Sequence, residues 1–345
     1  MPLTKRENFL KNANFRGHEW IPQWAFISPP YWRVAREELE DICLRHPVLF
    51  PDFRKGQIDF DQVLDETQRE RTDEWGCRWR YELDGLEGIV IEHPLEDWAA
   101  LSRWKPPQPP VFDDSKRQAL EGCRARGEIT RYDAPHGFFL MRLYYLRGME
   151  NFLEDVGMND PRLDQLATMV ADHWEQAFAP YLAAGLDVLN VADDLGTQTA
   201  SLLGPTHFRR LLMPHYKRLF HPAREKGTLV SMHHDGYIMD IIDDLLECGV
   251  STVNPQDLVN GIDNIARCVK GRACIKIDID RQQVLPFGSP AEVRDLVREE
   301  VLKLGSPAGG LEMVVGIYPP TPLANIEALF SALEEYRTYW VGRAE

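Results

Sequence analysis

A chain of 345 residues with 39 Lys and Arg against 54 Asp and Glu carries a formal charge of −15. That balance excludes a non-specific nucleic-acid binder, which needs clustered cations to neutralise phosphate. Hydrophobic residues make up 44% and aromatics 10%, with nine Trp, enough for one large core. No apolar run approaches the roughly 20 residues of a membrane span. The six cysteines are scattered without a C-x-x-C pair, and Met1-Pro-Leu-Thr-Lys-Arg-Glu-Asn8 is polar. We therefore expect free thiols in a reducing cytoplasm, with no disulfide framework, secretory signal or membrane attachment.

In chain order, residues 21–27, 48–53 and 128–133 read as strands in the first half. Between the second and third, residues 71–104 alternate Arg78, Arg80 and Glu82, then Ile89 and Ile91, and predict a β-hairpin excursion. A Pro-rich stretch at 106–110 leads back. From Leu186 onward, short apolar runs alternate with amphipathic segments. Strands are predicted at 186–192, 228–233, 250–253, 273–279 and 311–315. Helices are predicted near 206–226, 237–248, 262–269, 289–304 and 326–340, the fourth opening on a capping box from Ser289 to Glu292. Eight strands alternating with helices predict an α/β fold, a single (β/α)8 TIM barrel spanning residues 1–345 as one domain.

Chemistry in such a barrel sits at the carboxyl ends of the strands. Strand alternation turns Lys276 and Asp278 into the lumen, because the isoleucines between them face the helices. The other strand ends are equally polar: Asn190 with Asp193 and Asp194, His233 with Asp235, Asn254 with Gln256. His233 and Asp235 are two apart on an extended backbone and point the same way, so they can share a metal ion, or Asp235 can orient His233 as a proton carrier. The plainer alternative is a mouth histidine satisfied by backbone and water. Asp193 and Asp194 would repel each other in a desolvated mouth, raising one pKa and supplying an acid or a ligand. Otherwise one caps the following turn at 197–203. Of the two, Asp194 shares its face with Asn190. Gln198, His136, Trp75 and Tyr318 complete the candidate substrate contacts, with Arg142 and Trp24 as lesser ones.

The order of these motifs resembles the uroporphyrinogen decarboxylase superfamily. The matching stretches are Asp193-Asp-Leu-Gly-Thr-Gln198, Met213-Pro-His-Tyr216, His233-His-Asp-Gly236 and Gly249-Val-Ser-Thr-Val-Asn-Pro-Gln256. Asp278, Thr321-Pro-Leu-Ala-Asn325 and Asp73-Glu-Trp-Gly76 extend the match. The resemblance implies a barrel with its site at the mouth, and often a homodimer. It also implies one of two chemistries: cofactor-free decarboxylation of porphyrinogens, or zinc-dependent methyl transfer involving a corrinoid protein.

Departures from the family pattern choose between those branches. The decarboxylases follow the first strand with an Arg-rich motif, but here Gln23-Trp-Ala-Phe-Ile-Ser-Pro-Pro30 has no Arg before Arg33. The methyltransferases hold zinc through His-x-Cys-Gly and a later Cys. This chain keeps His233 and Gly236, has Asp235 in place of the Cys, and has no Cys from 315 to 322. Harder ligands make the site less zinc-selective and suit a Lewis acid acting on an ether oxygen. The resemblance thus implies a methyltransferase or O-demethylase with a divalent metal, zinc first, on His233 and Asp235. Asp193, Asp194 and His233 would be its catalytic residues. Without a D-x-H-x-x-G motif, a separate corrinoid protein must supply the cobalt. The rivals are a metal-independent decarboxylase of a small carboxylic acid, held by Lys276 or an arginine such as Arg131, and a non-catalytic binding barrel.

Overall fold

A computed structural model describes residues 2–63, 65 and 67–343. Its strands are β1 (Gln23–Ile27), β2 (Glu70–Thr72), β3 (Arg78–Arg80), β4 (Ile89–Glu92), β5 (Arg131–Asp133), β6 (Val188–Ala192), β7 (Leu229–His234), β8 (Thr252–Pro255), β9 (Cys274–Asp278) and β10 (Leu311–Ile317). Seven of them form one parallel sheet in the order β1-β10-β9-β8-β7-β6-β5. This is the α/β barrel the sequence predicts, with helices between successive strands.

Two expectations need correction. The barrel has seven strands among the described residues, because 48–53 is a run of turns. Pro47 and Pro51 bracket that stretch, and proline can neither donate to a ladder nor follow a helical residue comfortably. Instead the helix Pro29–Arg45 runs into it, with Phe50 packed edge-on against Phe330. Consequently β5 and β1 are both edges, and the barrel wall is open between them. The excursion at 71–104 is a three-stranded antiparallel sheet, β2-β3-β4, rather than a hairpin. Arg78 ties it together from the central strand by pairing with both Glu70 and Glu92.

Outward-facing strand residues such as Val191, Met232, Val253, Ile277 and Val315 lie in one apolar cluster reaching from Ile21 to Leu333. Each large aliphatic side chain so buried contributes about 1.5–3 kcal/mol before chain entropy is charged. The capping box at Ser289 is present as predicted, with Glu292 reaching back to the Ser289 backbone. Below the barrel, the N-terminal helix Lys5–Ala13 closes the amino ends of the strands. Arg6 pairs with Asp187 at 2.7 Å, and Asn12 donates to the Leu311 carbonyl at 2.9 Å. All six cysteines are free, and no described helix is long and apolar enough to cross a membrane.

Candidate active site

Parallel register brings the polar strand ends together. His233 on β7 lies opposite Ala192 on β6 and Asn254 on β8, and Gln256 bridges to Asp278. The loops after β6 and β7 cross backbone to backbone. Gly196 donates to the Asp235 carbonyl at 3.1 Å, and Tyr237 to that of Thr197 at 2.7 Å. Both crossing positions must be glycine. A Cβ on Gly236 would stand 2.3 Å from the Gly196 carbonyl carbon, and the Gly236 φ of +80° is left-handed. This crossing holds Asp194 and Asp235 side by side, with the Asp235 N–H donating to Asp194 Oδ1 at 3.3 Å.

Asp194, His233 and Asp235 each offer a ligand atom, all within 4.8 Å of one another. The orientation of His233 follows from its neighbour. Asn254 donates its Nδ2 to the Lys276 carbonyl at 2.5 Å, which leaves its Oδ1 to accept from His233 Nδ1 at 3.2 Å. The proton of a neutral His233 is thereby assigned to Nδ1, and the Nε2 lone pair faces the carboxylates, 3.3 Å from Asp235. One imidazole nitrogen and two carboxylate oxygens, with the imidazole fixed from behind, fit a divalent cation.

Charged groups surround this trio. His136 stands between Glu87, 2.6 Å from its Nδ1, and Asp194, 3.3 Å from its Nε2. Burial opposes a charged ring there, but the two carboxylates outweigh it and raise the His136 pKa to about 10. The ring is therefore an imidazolium at neutral pH. Arg281 reaches Asp235 at 3.2 Å and Asp278 at 3.5 Å and lies over the Tyr318 ring. Burial tends to raise the Asp235 carboxyl, but hydrogen bonding to His233 and its charge, when that ring is protonated on both nitrogens, and the charges of Arg281 and His136 bring it down. Asp278 is raised by burial, with Arg281 opposing. The loop carrying Arg281 is fixed by Asp280, which accepts from the backbone of Gln282, Gln283 and Val284. The Asp280 N–H in turn donates to Asp257 at 2.9 Å. Behind Asp257 stands Glu300, fully buried. Burial pushes Asp257 up to about 7 and Glu300 well above the ordinary range, with the charge of Asp257 adding to the rise of Glu300.

The structure thus brings together Asp194, His233, Asp235, His136, Asn254, Asp278 and Tyr318. Gln256 has a positioning place: its Oε1 accepts from the Gly236 N–H at 3.0 Å. Asn190 and Lys276 lie lower, in the lumen. Three candidates are elsewhere. Asp193 is fully buried on the outer side of the wall, where its carboxylate accepts from the N–H groups of Leu140 and Met141 and from the Tyr216 hydroxyl. It caps the helix Leu140–Arg147, not the turn after residue 196. Trp75 is buried against Arg142, His173 and Trp174, and Gln198 is exposed on the β6 loop. Glu87 and Arg281 escaped sequence reasoning. Arg281 had a signal, standing three residues beyond Asp278 at a strand end, whereas Glu87 lies in the excursion and had none.

The model of the uroporphyrinogen decarboxylase (URO-D) family matches residues 76–336. This chain belongs to that family. Among family-like proteins, it is 25% identical over 156 residues to a methylcobamide:CoM methyltransferase from Methanosarcina barkeri, covering 44% of this chain and 43% of that enzyme. The match thus spans less than half the length of that relative. A solved methyltransferase from Methanosarcina mazei superposes with a TM-score of 0.63 at 15% identity, over 97% of this chain and 99% of the other. At that identity the likeness shows the barrel fold alone. Where the decarboxylase pattern would place arginines after β1, the first arginines of this URO-D chain are Arg33, engaged with Asp84, and Arg36, paired with Asp61.

Proposed function

We propose that this chain is a methyltransferase that demethylates a small methylated compound and passes the methyl group to a corrinoid held by a separate protein. The observation that carries the reading is the convergence of Asp194, His233 Nε2 and Asp235, with the His233 tautomer fixed by Asn254. The likeness to a methylcobamide-using enzyme supports the same branch. These three residues would hold a divalent ion, zinc foremost, which when bound supplies a Lewis acid for the oxygen that loses its methyl group. Around them the chain's own groups have defined tasks. Asn254 presents the imidazole, Arg281 and the His136 imidazolium balance the carboxylates, and His136 stands ready to give a proton to a leaving oxygen.

Metal analysis of protein purified without chelator tests this. About one divalent ion per chain is expected, lost in His233→Ala. Stoichiometric metal retained in that variant overturns the ligand assignment. Release of CO2 from a small acid by chelator-stripped protein would establish the decarboxylase instead. With no arginine cluster behind β1, uroporphyrinogen is expected to remain unconverted, and coproporphyrinogen formation above a dead control would reverse that branch.

A further inference from the structure

Beneath the mouth, the lumen holds a cavity of about 450 Å³. It lies directly under the ligand trio, because the same strand faces line both. Asn190, Ala192 and Asp194 follow one another up β6 and its loop, Ser231, His233 and Asp235 up β7, and Lys276 and Asp278 up β9. Two residues of strand separate the cavity from the mouth, about 7 Å.

The cavity walls carry two unpaired cations. Arg131 on β5 and Lys276 on β9 line it, and neither side chain forms a hydrogen bond or ion pair with a described residue. The facing acids make no ion pair with them among the described residues. Asp133 is engaged by the Asn190 amide at 3.1 Å. Glu312 is buried, and its Oε1 accepts from the Cys274 thiol at 3.5 Å. Two side-chain cations without a direct partner thus line the space, and the Ser231 hydroxyl adds a donor. Along β1, Trp24 also lines the space. It is 59% exposed, and Phe26 stacks beside it with 6.2 Å between centroids. An indole left this open on a lumen wall is a platform for a flat group.

We infer that this cavity receives a planar organic acid carboxylate-first, with Arg131 and Lys276 holding the carboxylate, Trp24 carrying the flat body, and the methylated end standing at the mouth. The direction in which the ligand stands rests on the proposed function, whereas the carboxylate subsite does not. A single ring fits the spacing between the two levels. Arg131 and Lys276 come from strands on opposite sides of the lumen, so a carboxylate between them is anchored from both sides.

Calorimetric titration with benzoate and its neutral isostere benzamide tests the subsite. Wild-type protein should bind benzoate at least roughly tenfold more tightly than benzamide, the weight of one charge-assisted contact. Arg131→Met and Lys276→Met should each erode that preference while leaving benzamide binding unchanged, and Trp24→Ala should weaken both probes alike. Equal affinity for the two probes, absence of benzoate binding by wild-type protein, or a preference surviving in the Arg131→Met/Lys276→Met double variant overturns the subsite. Since the first comparison uses only wild-type protein, misfolding of a variant cannot rescue it. In His233→Ala the benzoate preference should persist. Metal retained in that variant beside an intact preference would remove the proposed chemistry but not the pocket, and metal loss beside equal probe affinities would do the reverse.

Discussion

Asp193 and Asp194 are adjacent in sequence, yet their carboxylates lie on opposite sides of the barrel wall. Asp194 stands in the mouth, 3.3 Å from His136, whereas Asp193 is sealed behind it under three donors. The two should therefore fail differently when changed. Asp194→Asn should abolish turnover and weaken metal binding while melting like wild type, since it removes a charge from a partly open site. Asp193→Asn puts an amide where three donors converge, leaving at least one unmet, and should cost about 1–3 kcal/mol of stability. Calorimetry beside metal stoichiometry separates them. A destabilised Asp194→Asn with full metal would contradict the placement.

Asn254 acts through His233. Asn254→Ala leaves all three proposed ligands in place but frees the imidazole to rotate and change tautomer. Metal affinity should fall by roughly 10- to 100-fold, read by competition with a chromogenic chelator. An unchanged affinity would mean that His233 is oriented by something else.

Arg281 competes with a cation for Asp235. Arg281→Met removes a positive charge beside the trio, so divalent-ion affinity should rise, by roughly tenfold at the effective dielectric of a partly exposed site. Weaker binding would show that Arg281 holds Asp235 in place more than it neutralises it.

The Asp257–Glu300 pair predicts a pH dependence. Both carboxyls have folded pKa values above their unfolded ones, so the native state binds the extra proton. Their contribution to stability is complete below about pH 4 and is lost as pH rises through about 7, at up to roughly 1.4 kcal/mol per unit for each proton. Glu300→Gln removes one buried titrating carboxyl, and with it the charge that opposes ionisation beside Asp257, and should lessen the decline. The melting temperature of the variant relative to wild type should therefore climb from pH 5 to pH 8, and a constant difference would refute the raised Glu300 carboxyl.

The strand ends were legible because a half-buried strand writes its two faces alternately. Asn190, His233, Asp235, Lys276 and Asp278 could be assigned to the lumen from that period alone. The same logic put Asp194 on the face of Asn190, and the structure agrees. It failed at residues 48–53, where apolar residues between prolines pack against the helix Leu323–Tyr336 instead of joining the sheet. Nor could it place Trp75, whose burial depends on two helices distant in sequence. Glu87 was invisible for a related reason: its position is set by an excursion whose docking leaves no local periodic mark.

The floor of the lumen cavity is formed in part by Phe9, from the helix that closes the barrel from below. The depth available to a ligand is thus set by a segment that supplies neither a strand nor a group at the mouth. Reach and reactivity are written on separate stretches of chain. A smaller residue at position 9 would lengthen the guest the barrel admits without disturbing a single atom of the chemistry above it.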